Sequence, residues 1–252
     1  MARHAVAWRP MSGLSAVRET FQPGGNESSA PPEGARDLER IEVAAYFRYG
    51  GQEAQVGGDW YDVLGLPDGR TALVVGDVMG RGSRAALVMC QLRRVVRTYA
   101  RMGVGPLELM GNLDRLVVQR FPQQVVTCLY AVFDPVDLSL RYLNAGHVPP
   151  LLIHPDGSCR RVSFATHPPL GVGQPFDELH RVDLTPGAGV VLYTDGLVEC
   201  RGQNIEAGIE SLRRAVASLD VPLRDVPEAL VRMRLPQGPE DDVALLVARV
   251  CA

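Results

Sequence analysis

The sequence predicts an α+β protein in which antiparallel strands pack centrally and helices lie outside. Three observations predict it. The elements run strand, strand hairpin, two helices, a long block of strands, two helices and a closing strand. The strands are short apolar runs separated by turn residues at near-regular spacing, which is how antiparallel sheets read. The helices after the hairpin carry apolar residues at i, i+3, i+4 and i+7, with arginines off the stripe.

Taken in order, residues 1–40 stand apart from the rest of the chain. Gly13 to Phe21 predicts a short helix, and the run from Gly24 to Gly34 is a polar Pro/Gly-rich linker. This tail is expected to be mobile or loosely docked, leaving residues 41–252 as the folded domain. Ile41 to Arg48 is a strand. Trp60 to Leu64 and Thr71 to Val75 form a hairpin across the Asp68-Gly69 turn. Ser83 to Arg101 is the clearest helix, with Ala85, Val88, Met89, Leu92, Val95, Val96 and Tyr99 on its stripe; Arg93, Arg97 and Arg101 make a basic strip expected in solvent. A second helix starts near Pro106, with Leu109, Met110, Leu113, Leu116 and Val117 facing the core. Strands are predicted next at Val125 to Phe133, Leu138 to Asn144, Leu151 to His154, Cys159 to Phe164, Leu179 to Leu184 and Val190 to Tyr193. Two further helices, Ile205 to Ser218 and Leu223 to Met233, precede the last strand, Val243 to Val250.

Composition narrows the function. The chain has 252 residues, 46% hydrophobic, enough for one substantial core. A net charge of −3 without a basic block gives no case for nucleic-acid binding. No run of ~18 apolar residues suggests a membrane span, and the N-terminus has no continuous apolar segment of the signal-peptide kind. The five cysteines are scattered, with no C-x-x-C pair, which suits a reduced, cytoplasmic protein and argues against a zinc site. All 26 basic residues are arginine, so lysine Schiff-base chemistry and a Walker-type P-loop are excluded.

The chemistry-bearing residues are carboxylates. Asp59 follows Gly57-Gly58, and Asp77 follows Gly76 at the end of an apolar run. A hairpin between them brings both to one end of the strand pair. There they repel unless a metal ion or a shared proton sits between them, and a divalent metal is the reading preferred. Asp195 follows the apolar run Val190 to Thr194, and Asp241-Asp242 opens the last strand. Hard oxygen ligands of this kind suit Mg²⁺ or Mn²⁺, and two such ions suit phosphoester hydrolysis. Asp beside Gly is also ordinary turn chemistry; Asp68, Asp134, Asp137 and Asp156 are most simply that. Gly80 to Ala85 matches a dinucleotide fingerprint, but a second helix comes where a strand would be needed. Asp195-Gly196 resembles a haloacid-dehalogenase nucleophile loop, but Tyr193 stands where that loop needs an aspartate.

The motifs GGDWYD (57–62), LVVGDVMGRG (73–82), NAGHVPPLL (144–152), LYTDGLVE (192–199) and EDDVALLV (240–247), in this order, resemble the SpoIIE/RsbU-type phosphatases. These are bacterial members of the metal-dependent serine/threonine phosphatase superfamily that contains protein phosphatase 2C. The resemblance covers roughly Ile41 to Val250. It implies an α-β-β-α sandwich with two central antiparallel sheets and a site for two Mn²⁺ or Mg²⁺ ions between them. It assigns Asp59, Asp77, the Val78 carbonyl, Asp195 and Asp241 as metal ligands and catalytic centre. Asp242 stands where the wider superfamily often has asparagine, so the choice between the two adjacent aspartates stays open. The implied reaction is hydrolysis of phosphoserine or phosphothreonine by a metal-bridged hydroxide, without a phosphoenzyme. The implied substrate is an anti-sigma-factor antagonist, and the helices after the hairpin resemble the family's regulatory switch helices. Arg81 departs from the histidine often found there; it serves either a surface role or the substrate phosphate. His147 is either structural or a general acid. Residues 1–40 do not resemble a sensor domain, and a homodimer is an open expectation. The alternative function is a degenerate phosphatase domain that binds a phosphoprotein without turning it over.

Overall fold

The computed structural model describes residues 18–20, 38–50, 57–162, 167–199, 202 and 204–251. The linker predicted from Gly24 to Gly34 lies outside them. Among the described residues, eleven strands and four α-helices follow one another as β1 (Arg18–Thr20), β2 (Ile41–Arg48), β3 (Trp60–Gly65), β4 (Thr71–Val78), α1 (Ser83–Arg101), α2 (Pro106–Arg120), β5 (Val126–Asp134), β6 (Ser139–Ala145), β7 (Leu151–Ile153), β8 (Cys159–Arg161), β9 (His180–Asp183), β10 (Gly189–Tyr193), α3 (Ile205–Ser218), α4 (Val226–Arg234) and β11 (Val243–Val250). One sheet has the order β1-β2-β11-β10-β7-β8 and the other β3-β4-β5-β6-β9.

Three apolar layers hold the sheets and helices together, and the strand sequences show why. Successive side chains of a strand point to opposite faces. In β4, Leu73 and Val75 enter the layer between the sheets, while Ala72 and Val74 face α1 and α2. In β11, Ala244, Leu246, Ala248 and Val250 face the other sheet, while Val243, Leu245 and Val247 face α3 and α4. Strands covered on both faces read as unbroken apolar runs, which is how β4, β5, β10 and β11 look in the sequence. The result is the four-layer α-β-β-α sandwich.

Three sequence expectations change. Gly13 to Phe21 predicts a helix; instead Arg18–Thr20 is a strand, pairing in parallel with Ala44–Tyr46 of β2. This pair departs from the antiparallel pattern, and it docks part of the N-terminal segment on a sheet edge. Strand β4 continues past Val75 to Val78 because β5 keeps pairing with it, Asp77 opposite Thr127 and Val78 opposite Val126. Asp77 therefore sits in the ladder, not beyond it. Finally, Arg93 and Arg97 do not point to solvent. Both turn inward to the fully buried Asp62, with Arg97 Nη2 2.7 Å and Arg93 Nε 3.1 Å from its Oδ1. The turn aspartates behave as expected: Asp68, Asp134, Asp137 and Asp156 each accept a backbone N–H two residues on.

Candidate metal centre

The two sheets bring four acidic sites to one end of the sandwich. In the first sheet, Trp60 pairs with Gly76, so Asp59 and Asp77 emerge at the same end of the hairpin. Glycine is required at position 76, because a Cβ there would lie 2.2 Å from the Trp60 ring. In the second sheet, Tyr193 pairs with Leu245, so Asp195 just after β10 and Asp241-Asp242 just before β11 come together. Thr194 locks the two ends: its N–H donates to the Ala244 carbonyl at 3.0 Å, and its hydroxyl accepts the Ala244 N–H at 2.9 Å.

Burial and mutual repulsion dominate the electrostatics. Burial, and then the charge of Asp77, hold the Asp59 carboxyl well above the usual range. Asp77 is pushed up to about 6, by burial first and then by Asp195. Asp195 is raised by burial and then by Glu199, and Asp242 chiefly by burial. Asp59 is 5% exposed, and its Oδ2 is buried without a hydrogen-bond partner. Carboxylates in this condition take up a proton or a cation. An all-oxygen donor set with a partnerless buried carboxylate oxygen suits a hard divalent cation. Among the described residues, no three such side chains close on a single point. An ion here would complete its shell with backbone carbonyl oxygen and water, as Mg²⁺ commonly does.

The adjacent aspartates have different surroundings. The Asp242 carboxylate accepts the Gly50 N–H at 3.0 Å and fills the space where a Gly57 Cβ would stand. It fastens the chain leading to Asp59. The Asp241 side chain is 51% exposed at the mouth of the site, where its Oδ2 accepts a hydrogen bond from Arg81 Nη2 at 2.8 Å.

His147 lies behind this centre. A backbone carbonyl can only accept, so His147 Nε2 donates to the Tyr193 carbonyl (3.0 Å) and Nδ1 accepts from the Thr127 hydroxyl (2.7 Å). Thr127 is the ladder partner of Asp77, and Tyr193 lies two residues before Asp195. The ring therefore ties β5, the strand paired with β4 at Asp77, to β10, the strand that leads into Asp195. Burial lowers its pKa to about 4, and both ring nitrogens are taken up by hydrogen bonds inside the protein. Asn144 fixes the loop by accepting the His147 N–H and donating to its carbonyl.

Asp62 with Arg93 and Arg97 is what sequence reasoning missed. The signal was present: Asp62 alternates with Trp60 and Leu64, which face α1, and the arginines are four residues apart. A carboxylate on a helix-facing side demands a cation from that helix.

A family model described as Stage II sporulation protein E (SpoIIE) matches residues 67–251. The chain belongs to the SpoIIE family. The match takes in Asp77, Asp195, Asp241 and Asp242 and begins after Asp59. Among curated relatives, the SpoIIE-family chain is 26% identical over 167 residues to the phosphoserine phosphatase RsbP of Bacillus subtilis, covering 64% of this chain and 40% of that one. It is 25% identical over 229 residues to the phosphoserine phosphatase RsbU of the same organism, covering 88% and 65%. It thus spans less than two thirds of the length of either relative. Among solved structures, it resembles the RsbU and RsbW domains of Rv1364c from Mycobacterium tuberculosis, with 33% identity and a TM-score of 0.80, covering 85% of this chain and 61% of that one.

Proposed function

We propose that this domain is a metal-dependent protein serine/threonine phosphatase whose substrate is a phosphorylated regulatory protein of the anti-sigma-factor-antagonist type. The observation that carries the reading is the set of buried, mutually repelling carboxylates that both sheets bring to one end of the sandwich, the partnerless Oδ2 of Asp59 among them. Membership of the SpoIIE family and similarity to two phosphoserine phosphatases support the substrate class.

Asp59, Asp77, the Val78 carbonyl, Asp195 and Asp241 would hold two Mn²⁺ or Mg²⁺ ions. Such ions, when bound, acidify water and neutralise a phosphoryl group. The chain's own part is positioning. Strand pairing fixes Asp59 against Asp77, and Thr194 fixes Asp195 against Asp241. Asp242 acts on the loop before Asp59 and not as a ligand. The Tyr193 side chain is buried in the outer core and donates to the Pro149 carbonyl. No aspartate therefore stands before Asp195 to form the paired site that phosphoenzyme chemistry of the haloacid-dehalogenase kind requires, and direct attack by water is the proposed route.

The test is turnover of an aryl phosphate titrated with Mn²⁺ and Mg²⁺ and repeated after EDTA. The expected result is metal-dependent hydrolysis that falls by orders of magnitude in Asp77→Asn. Turnover that survives EDTA, or that is undiminished in Asp77→Asn, refutes the reading. A folded protein that binds both ions without turnover favours the phosphoprotein-binding alternative.

A further inference from the structure

Beside the carboxylates lies a cleft of ≈ 390 Å³, lined among others by Arg81, Glu199, Arg234, Glu240 and Asp241. Arg81 is placed over it by the turn between β4 and α1. Gly80 and Gly82, on either side, have φ of 110° and 82°, and a Cβ at either would meet nothing within 4 Å. These glycines are there for backbone conformation and not for want of space. The turn they make throws Arg81 across the gap between the sheets, where it meets Asp241 at the start of β11.

We propose that Arg81 is the residue that grips the phosphoryl group of the substrate, and that Asp241 holds its guanidinium until the site is loaded. The proposal rests on the phosphatase reading of this same centre and adds to it the phosphate-binding residue and the condition under which it acts. Two observations and one chemical argument carry it. The Arg81 and Asp241 side chains are 70% and 51% exposed, and a pair this exposed is weakly held and readily exchanged. A cation held by Asp241 would compete for the carboxylate that Arg81 now uses and would free a planar fork of N–H donors four residues from Asp77. A dianionic phosphoryl group accepts such a fork in two parallel bonds and competes well against one carboxylate. The charge balance of the cleft agrees. Glu199, Glu240 and Asp241 outnumber Arg81 and Arg234, so an anion is repelled until cations offset the acids. Arg234, which also lines the cleft, donates from Nη1 to the Ser211 hydroxyl.

The experiment compares the parent protein with Arg81→Ala and Arg81→Lys by calorimetry. First, inorganic phosphate is titrated into each protein at saturating Mg²⁺. The expected result is a loss of affinity of roughly ten- to hundred-fold in Arg81→Ala, from losing charge-assisted hydrogen bonds, and partial retention in Arg81→Lys. Second, Mn²⁺ is titrated without phosphate. Arg81→Ala is expected to bind it at least as tightly as the parent, because Asp241 is released. Phosphate affinity within two-fold of the parent overturns the proposal, as does a parent that binds no phosphate at saturating Mg²⁺. Weaker Mn²⁺ binding in Arg81→Ala also overturns it, since Arg81 would then be a prop for Asp241. None of these readouts needs turnover. Aryl phosphate hydrolysis by the parent therefore decides the phosphatase reading separately: active parent and unaltered Arg81→Ala would remove this proposal alone.

Discussion

Replacing both Arg93 and Arg97 by alanine removes both cations from the Asp62 carboxylate, which is 0% exposed in the parent. Arg93 Nε now lies 3.1 and 3.2 Å from the two carboxylate oxygens, and its Nη2 donates to the Tyr61 carbonyl at 3.2 Å. Arg97 adds Nε and Nη2 on Oδ1 at 3.1 and 2.7 Å. Stranding a buried charge in this way costs about 3–5 kcal/mol. Arg97→Ala alone leaves Arg93 on both oxygens and should cost about 1.5–3 kcal/mol, the worth of a charged hydrogen bond. Asp62→Asn is the milder change, because the arginine side chains are 19% and 31% exposed and can reach water. The assay is urea unfolding followed by circular dichroism. With a slope of about 2 kcal/mol/M, the double variant's midpoint should fall by roughly 2 M, and Asp62→Asn should fall less. A double variant within about 1 kcal/mol of the parent would refute the reasoning. It would show that Asp62 finds water or a proton cheaply and that α1 is held to β3 by its apolar stripe alone.

Three further outcomes are expected. His147 has a folded pKa of about 4 against an ordinary 6.5, so between those values the unfolded chain binds a proton that the folded chain refuses. Its contribution is present above pH 6.5 and is lost as pH falls towards 4, by about 3 kcal/mol in all; thermal melts should show a shallower acid decline in His147→Gln than in the parent. Asp77 is shifted the other way, to about 6, so its ionised form destabilises the metal-free fold above that pH and the penalty disappears as pH falls to 3.8. Asp77→Asn should therefore melt higher than the parent in EDTA at pH 8, with the gap closing by pH 4, and should lose the stabilisation that Mn²⁺ gives the parent. Asp241→Asn should weaken Mn²⁺ binding with little change in metal-free stability, whereas Asp242→Ala should lower metal-free stability by about 1–3 kcal/mol by unpairing the Gly50 N–H; the reverse pattern in calorimetry and melts would exchange their roles.

How legible the molecule is from sequence depends on how local the cause is. The hairpin that sets Asp59 beside Asp77 follows from Asp68-Gly69 and the apolar runs around it, and the observed register pairs Trp60 with Gly76. The layering follows from element order, since helix pairs after β4 and after β10 can only cover opposite outer faces of two stacked sheets. The features that escape the sequence depend on contacts distant along the chain. The inward turn of Arg93 and Arg97 spans 31 and 35 residues from Asp62, and a helical wheel that treats arginine as solvent-facing hides it. The short strand Arg18–Thr20 forms because an edge of β2 is open to it. Its sequence, Arg-Glu-Thr, carries no apolar alternation that would mark a strand.

The choice between Asp241 and Asp242 shows why the site needed the fold. As sequence the two are equivalent neighbours, and the asparagine-like position of the second is only a resemblance. In the structure they face opposite ways. Asp242 points at Gly50 and Gly57, where either glycine's Cβ would collide with the chain at 241–242. Asp241 points at the cleft and at Arg81. Backbone without side chains at 50 and 57 is thus what lets Asp242 be drawn into the protein while Asp241 stays exposed beside Arg81. An alanine at Gly57 would place its Cβ 1.3 Å from Asp242 Oδ2, expelling that carboxylate and moving the loop that carries Asp59. Both halves of the site would then suffer from one methyl group that touches neither cation nor substrate. Loss of Mn²⁺ affinity in Gly57→Ala, in protein that still unfolds cooperatively, would show that the glycines before Asp59 are part of how the metal centre is built.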